Sequence, residues 1–486
     1  MPINVHVPGV DYLRFLPEIV LSIFGIIIMM LSALHSRRHS STPGALSLLG
    51  IALAFIANLW AYTNGGAAFS SMILVDGYGT FFRALVMVVG VLCILPSFGY
   101  LDREDAQTGE YYALILFSIV GQCILATAND LIMVFIGLEI SSIATYILAG
   151  FLRDDRRNNE SALKYFLLGS FATAFLLYGI AWIYGLVGST NIEEIRRILS
   201  QGGPISPIAG LAAALMFVGF GFKVSIAPFQ IWAPDVYQGA AAPVSAFMSA
   251  GPKAAAFAVF FRVFMISFRP INERWMWLVW GCALATMIIG NFGALTQTNV
   301  KRLLGYSSIA HAGYVLIALT AISQVGVAAA MFYLASYAFM QIGAFIVVSH
   351  IAARNERYVK IDDLAGLSRR EPVTAALLAV CVFSLIGVPL TGGFFAKFYV
   401  FQAALNSHLV WLTVLGLINS AIAAYYYLKI LVAVYMREPG AATIELAPPS
   451  KGFRVAMWAS ALGTLFLGIF PNTLLSFVSY SATALR

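Results

Sequence analysis

The sequence predicts an all-α protein that crosses a lipid bilayer about fourteen times, with two inverted repeats of five helices at its centre. Three observations lead there. Of 486 residues, 60% are hydrophobic and only 10% charged, at a mean hydropathy of +0.85, a composition foreign to water-soluble domains of this size. The apolar residues come in runs parted by short polar loops, and a run of about 20 is what a helix needs to cross roughly 30 Å of hydrocarbon. Ionisable residues inside the runs recur at spacings of 172 to 176 positions. A soluble enzyme is excluded. The 29 Lys and Arg outnumber 22 Asp and Glu, but loop cations are topology signals here, so no nucleic-acid partner follows.

The runs lie at 13–34, 44–62, 79–99, 110–128, 131–151, 161–187, 207–230, 243–266, 275–296, 302–322, 325–350, 372–403, 408–434 and 453–480. They form a single membrane domain, 1–486, without a loop long enough for a separate soluble unit. The first run is too long for a signal-peptide core, has no small-residue cleavage site and ends in Arg37-Arg38, so it reads as a mature helix. His35 and His39, four apart beside it, have the spacing of a metal pair, but a solvated loop explains them more simply. Cys93, Cys123, Cys282 and Cys381 all fall within runs without a CxxC pair and read as small core residues. Pro228 and Pro234 around the seventh span, and Pro389, Gly392 and Gly393 in the twelfth, predict that these two are broken inside the membrane. Such breaks are tolerated only against protein or a watery cavity.

Loop charge sets the orientation. With the N-terminus outside, the inner loops hold sixteen basic residues: Arg37, Arg38, Arg103, Arg153, Arg156, Arg157, Lys301, Arg302, Arg354, Arg357, Lys360, Arg369, Arg370, Arg437, Lys451 and Arg454. Six remain outside, namely Arg14, Arg196, Arg197, Arg269, Arg274 and Arg486. The positive-inside rule and the even number of spans then place both termini outside.

Seven basic residues are left within the spans. Arg83 and Arg262 are expected to reach an interface by snorkelling. Lys164, Lys223, Lys253, Lys397 and Lys429 sit well inside their runs, whereas Glu139 is the one carboxylate deep in a helix. Glu18, Asp76 and Asp235 fall at span ends and read as interfacial, Asp235 also as a residue able to line an entrance. A mid-membrane lysine costs roughly 2.5–3.5 kcal/mol on insertion scales, so five with a single partner exceed what structural ion pairing accounts for, although one or two fit that reading. Lysines without partners in a low-dielectric interior exchange protons near neutral pH. A row of them, paired and unpaired in turn, makes a switchable proton path.

Spacing adds a second copy of the machinery. Lys223 and Lys397 are 174 residues apart, Lys253 and Lys429 176, and Glu139 and His311 172, each pair five spans apart. An odd offset reverses orientation, which predicts inverted repeats over 110–266 and 275–434, spans 4–8 and 9–13, with the two broken spans in matching places. Lys164 has no charged equivalent; the offset lands near Gln341. A lone histidine in an apolar helix is commonly hydrogen-bonded core, but His311 takes the place of a carboxylate at a repeat-related position, so both core and relay readings stand.

Longer motifs carry a resemblance. Ala162-Leu-Lys-Tyr-Phe-Leu-Leu-Gly169, Phe222-Lys-Val-Ser-Ile-Ala-Pro-Phe229 leading into Trp232-Ala-Pro-Asp-Val-Tyr-Gln-Gly239, and Gly251-Pro-Lys-Ala-Ala255 are joined by the stretch from Lys301 to Tyr314 and by Gly387-Val-Pro-Leu-Thr-Gly-Gly-Phe-Phe-Ala-Lys-Phe-Tyr399. Together they resemble the antiporter-like membrane subunits of respiratory complex I, NADH:quinone oxidoreductase. The Pro-Asp-Val-Tyr run followed by Gly-Pro-Lys is similar to the N type (subunit 2 of the mitochondrial enzyme) rather than to its L and M paralogues, as is an end after span 14 with no lateral helix.

The resemblance implies a proton-translocating subunit without redox chemistry of its own. It places the family's functional charges on Glu139, Lys164, Lys223, Lys253 and Lys397, with no cofactor or metal in this chain. NAD, FMN, iron–sulfur clusters and quinone are expected in partner subunits. The expected neighbours are the A, J, K and M types, the lateral helix of the L type and the bilayer, in a bacterial plasma (inner) membrane. Gln230 departs from the pattern, since relatives often carry histidine after Pro-Phe; a glutamine holds water but does not titrate. The alternatives are a subunit of a related sodium/proton antiporter, a ferredoxin-linked or other relative of complex I, and a scaffold without transport. Sodium sites favour several carboxylates and carbonyls, and one Glu among five Lys argues against the first. The five lysines argue against the last.

Overall fold

The computed structural model describes residues 8–34, 41–201, 206–438 and 448–485. His35, Arg37, Arg38, His39 and Arg486 lie outside them. Among the described residues thirteen helices are long and apolar enough to cross a membrane, and the broken pair Pro372–Ile386 and Gly392–Asn406 supplies the remaining crossing, span 12 in chain order. The other spans are Leu16–Leu34, Thr42–Thr63, Gly77–Arg103, Gly109–Thr127, Leu131–Ala149, Arg156–Val187, Pro207–Val224, Ala242–Ser267, Arg269–Leu295, Val300–Thr320, Gln324–Ile351, then Val410–Met436 and Lys451–Ile469. Spans 8, 10 and 11 are the enclosed centre, each 94% buried over its most apolar window, against 28% for span 1 and 39% for spans 6 and 9. The enclosed spans thus see protein on all sides, and the outer ones turn Leu, Ile and Phe outward to lipid.

Both predicted breaks are present, and each satisfies its freed backbone groups differently. Span 7 stops at Val224 because Ser225 turns left-handed (φ 61°) and Pro228 follows with no N–H to donate; the chain resumes as the short helix Trp232–Gly239. The Trp232 indole N–H donates to the Phe222 carbonyl at 3.0 Å, and the Ala227 N–H donates to Thr286 Oγ1 at 2.9 Å. Span 12 stops at Gly387 (φ 95°) and restarts at Gly392, where the Gly393 N–H donates to Ser384 Oγ at 2.9 Å. A Cβ on Gly393 would lie 1.9 Å from the Ser384 carbonyl oxygen, so glycine alone allows this approach.

The last run departs from the single helix expected over 453–480. It ends at Ile469 and restarts as Pro471–Ser481, because proline cannot donate to the preceding turn and pushes Phe470 out of helical geometry. Several short elements had no apolar signature long enough to be read, among them two that meet at one end of the bundle. A three-residue hairpin, Gly66–Ala68 with Ile73–Val75, covers one end of the bundle, and beside it the helix Ile192–Leu199 is capped by the Asn191 side chain. At the opposite end Arg103, Arg157, Lys301 and Arg302 knit the basic loops together. These are called below the hairpin end and the basic end.

Candidate functional site

Five of the seven ionisable residues singled out from the sequence fall in one row through the bundle. Lys223, one residue before the end of the first half of span 7, donates to the Tyr146 hydroxyl at 3.3 Å and lies 4.9 and 5.1 Å from the Tyr146 and Tyr165 ring centroids. Its ammonium thus rests on aromatic faces, an attraction worth about 0.5–2 kcal/mol. Glu139, seven residues before Tyr146 and on the same face of span 5, pulls on Lys223 through space without forming an ion pair. Beside Lys223 a cavity of about 10 Å³, one water in size, is lined by Ser141, Ser142, Thr145 and Pro252. Pro252 adjoins the next lysine of the row.

Lys253, 2% exposed, donates to Ser308 Oγ at 2.5 Å and to the Ser308 carbonyl at 3.0 Å. Three residues on, His311 shares that helical face, with Nδ1 2.6 Å from the Tyr333 hydroxyl and Nε2 3.1 Å from that of Tyr427. Tyr427 is also bonded to Ser307. His311 lies within electrostatic reach of both Lys253 and Lys397. Lys397, 6% exposed, donates to the carbonyls of Leu385 (3.1 Å) and Ile386 (2.8 Å) and to Ser420 Oγ (2.9 Å), with its ammonium 5.2 Å from the Tyr314 ring centroid. No carboxylate of the described residues touches Lys223, Lys253 or Lys397. Hydroxyls and carbonyls, rather than ion pairs, hold the three lysines of the row.

The other two lysines stand apart. Lys164 is 40% exposed in its side chain and is not an unpaired buried ammonium: it pairs with Glu160 at 2.7 Å and Asp235 at 2.8 Å. Asp235 also binds Arg302 at 2.5 Å, and these residues with Arg157 and Gln238 line a cavity of about 180 Å³ at the basic end. Span 6 begins at Arg156, five residues earlier than its apolar run, and so carries Lys164 only two turns into the helix. Lys429 is half-buried without a hydrogen bond or ion pair to a described residue. It lies nine residues past Ser420, roughly 13 Å along span 13 from the group that reaches Lys397.

Four further charges are placed otherwise than expected. Arg83 and Arg262 do not snorkel; both are fully buried, Arg83 against a fully buried Glu18 at 2.6 Å and Arg262 against Asp76 at 3.0 Å. A carboxylate from another span is nearer than water, and pairing takes the place of reaching an interface. Glu18 is therefore core rather than interfacial. Lys301, counted as a loop cation, is fully buried between Glu356 and the Ala240 carbonyl, each at 2.5 Å. Gln230 keeps Oε1 buried and unpartnered. The hydroxyls of the row, Tyr146, Ser308, Tyr333, Ser420 and Tyr427, were not singled out from the sequence; their signal was spacing, as Ser308 to His311 and Glu139 to Tyr146 share helical faces.

Comparison with known proteins follows the same lines. Residues 128–423 match the family described as NADH:quinone oxidoreductase/Mrp antiporter, TM. NADH-quinone oxidoreductase subunit N 1 of Solibacter usitatus is 59% identical over 487 residues, all of both chains, and subunit N of Trichlorobacter lovleyi is 40% identical over 95% of each. A chain of respiratory complex I from Thermus thermophilus superposes with a TM-score of 0.81 at 34% identity, covering 95% of this chain and 98% of that one. A chain of the Mrp complex from Dietzia sp. shares the fold, with a TM-score of 0.85 over 97% of each at 20% identity. The chain belongs to the NADH:quinone oxidoreductase/Mrp antiporter transmembrane family and, within it, to the subunit N group of NADH-quinone oxidoreductase.

Proposed function

We propose that this chain moves protons across the membrane as a subunit of NADH:quinone oxidoreductase, driven by electron transfer in other subunits. The observation that carries the reading is the central row, in which three lysines without contacting carboxylates and a histidine run between two broken spans. Protons enter the first half from the basic end past Asp235 and Lys164. They reach Lys223, where Glu139 stabilises the charged form, pass by Lys253 and Ser308 to His311, and continue to Lys397. Lys429 is assigned the step beyond Lys397. The repeats 110–266 and 275–434 supply the two halves. The lysine stands before the break in span 7 and after it in span 12, so the match is one of spans and not of residue register.

The basic end faces the cytoplasm of a bacterial plasma (inner) membrane, with both termini on the far side. Glu139 is only half-buried at mid-span, on a face that also exposes Ile136, Ile143 and Ile147. A carboxylate there needs a protein neighbour, which supports contact with other membrane subunits of the A, J, K and M types and the L-type lateral helix. NAD, FMN, iron–sulfur clusters and quinone reside in partner subunits. A sodium route is disfavoured by the single carboxylate at the row. Replacing Lys397 or Glu139 by Ala is expected to impair proton pumping in membrane vesicles while electron transfer through the other subunits remains measurable. Full pumping after either change overturns the residue roles and leaves the fold untouched.

A further inference from the structure

Among the described residues no side chain is bonded to both His311 and Lys397, so the row crosses a gap between them. Span 13 supplies a hydroxyl to each side of it. Tyr427, on His311 Nε2, and Ser420, on Lys397, are seven residues and about 10.5 Å apart along one face of that helix. Their chain neighbours Tyr426 and Asn419, also seven apart, are both held by one residue of span 9. Asn291, fully buried, accepts from the Tyr426 hydroxyl at Oδ1 (3.1 Å) and donates through Nδ2 to the Asn419 carbonyl (3.0 Å) and Asn419 Oδ1 (3.2 Å). Long side chains in a helix lean toward its N-terminus, and so Tyr426 comes back over two turns to meet the same amide as Asn419. Nδ2 also stands 3.5 Å from the hydroxyl of Tyr314, which follows His311 by three residues on span 10, lies against the Lys397 ammonium and is hydrogen-bonded to Ser420. Tyr426 and Tyr427 have their ring centroids 4.4 Å apart. Asn291 reaches this place because spans 9 and 10 touch backbone to backbone: a Cβ on Gly290 would lie 2.5 Å from the Ala310 nitrogen.

We infer that Asn291 is a positioning residue for proton transfer from His311 to Lys397: its amide fixes Tyr426 and Asn419 on span 13 and Tyr314 on span 10, and through them the Tyr427 and Ser420 hydroxyls that the two carriers use. In the transfer His311 gives up one proton and returns to neutral imidazole, and the amine of Lys397 takes up one and becomes ammonium. The amide carries none of it, since neither Nδ2 nor Oδ1 titrates. What it supplies is register. Sliding or rotation of span 13 would draw Tyr427 off His311 and Ser420 off Lys397 together, and Asn291 opposes both motions because its acceptor and its donor hold residues two turns apart on that helix. The inference rests on His311 and Lys397 as proton carriers in the reading above.

The test uses the intact complex in liposomes and reads protons translocated per NADH oxidised. Asn291→Leu, with the same branched shape and no polar atom, is expected to lower that ratio at least twofold. Asn291→Gln, which keeps the amide on a longer arm, is expected to recover at least half of the loss. A side chain that only filled space would be replaced better by Leu than by Gln, and an amide that only bound span 9 to span 13 would change assembly and thermal stability while the ratio of the assembled complex stayed as it was. Tyr426→Phe removes the hydroxyl that Oδ1 holds and is expected to lower the ratio too; combined with Asn291→Leu it should add nothing to the larger single loss. It decides the matter if Asn291→Leu fails to assemble. A wild-type ratio in Asn291→Leu, or in Tyr426→Phe where that variant alone assembles, overturns the positioning role, as do a Gln variant no better than Leu and losses that add in the double variant. Lys397→Ala separates the two levels: if it also pumps normally, the parent reading has failed, and if it is impaired while Asn291→Leu is not, only the positioning role has failed.

Discussion

Span 7 and span 12 pose the same problem, an interrupted helix with a lysine beside it, and solve it in opposite ways. In span 12 the lysine follows the break and turns back on it, so that the ammonium takes up the Leu385 and Ile386 carbonyls left over by the first half-helix, with Ser420 as third acceptor. All three N–H groups are used, and the cation sits at the negative end of a helix dipole. In span 7 the lysine precedes the break, and other side chains close it: Trp232 and Thr286 take up the loose carbonyl and N–H. Lys223 is left with one hydroxyl, aromatic faces and a small cavity. Lys397 is thus part of the scaffold as well as of the row, while Lys223 is free of structural duty.

That contrast yields graded expectations. Lys223→Ala and Lys397→Ala should each reduce proton pumping about 10²-fold, the lower end of what a positioned proton-transfer group contributes. They should part company in thermal unfolding of the purified complex: Lys397→Ala orphans two buried carbonyls and costs about 2–4 kcal/mol, whereas Lys223→Ala costs less than about 1. Equal stability losses would erase the distinction.

Away from the row, where pairing is direct, Arg83→Met should destabilise by about 3–5 kcal/mol because Glu18 is left as a lone buried charge. Adding Glu18→Leu should recover most of it, and a double variant no better than the single would show that the pair is not the source. Thr286→Val removes the acceptor of the Ala227 N–H at the span 7 break and should cost about 1–3 kcal/mol, with Lys223 still in place. Smallest of all, Tyr146→Phe and Ser420→Ala each remove one hydroxyl and should cost about 1 kcal/mol. Tyr146→Phe is expected to slow pumping more than Ser420→Ala does, since among the described residues Tyr146 is the one hydrogen-bond partner of Lys223 and Ser420 one of three for Lys397. The reverse order, read in vesicles, would count against the comparison.

The crossings were legible because a bilayer demands a run of apolar residues, and the breaks because Pro and Gly act locally. Lys223, Lys253 and Lys397 stood out for the same local reason, a charge within an apolar run. Pairings were not legible. Glu18 and Arg83 are 65 positions apart, Lys164 and Asp235 71, and Asp76 and Arg262 186. Nothing in the intervening residues says which helices will be neighbours, or which face each will turn to the other. For that reason Lys164 read alike with the row lysines and Arg83 and Arg262 as side chains reaching an interface, and for that reason Ser308 and Tyr427, ordinary residues in ordinary helices, went unremarked.

By itself, then, the sequence determined that the chain lives in a membrane, how often it crosses, where two crossings fail and which few charges stand at depth, since each of these is a property of a short stretch of chain against lipid. Tertiary structure decided which of those charges are answered by a carboxylate and which by hydroxyls and carbonyls alone. A buried cation's partner is chosen by helix packing and rotation, and these depend on all the side chains at an interface at once. The line between an ion pair that holds the bundle and a buried lysine held without a carboxylate is drawn there.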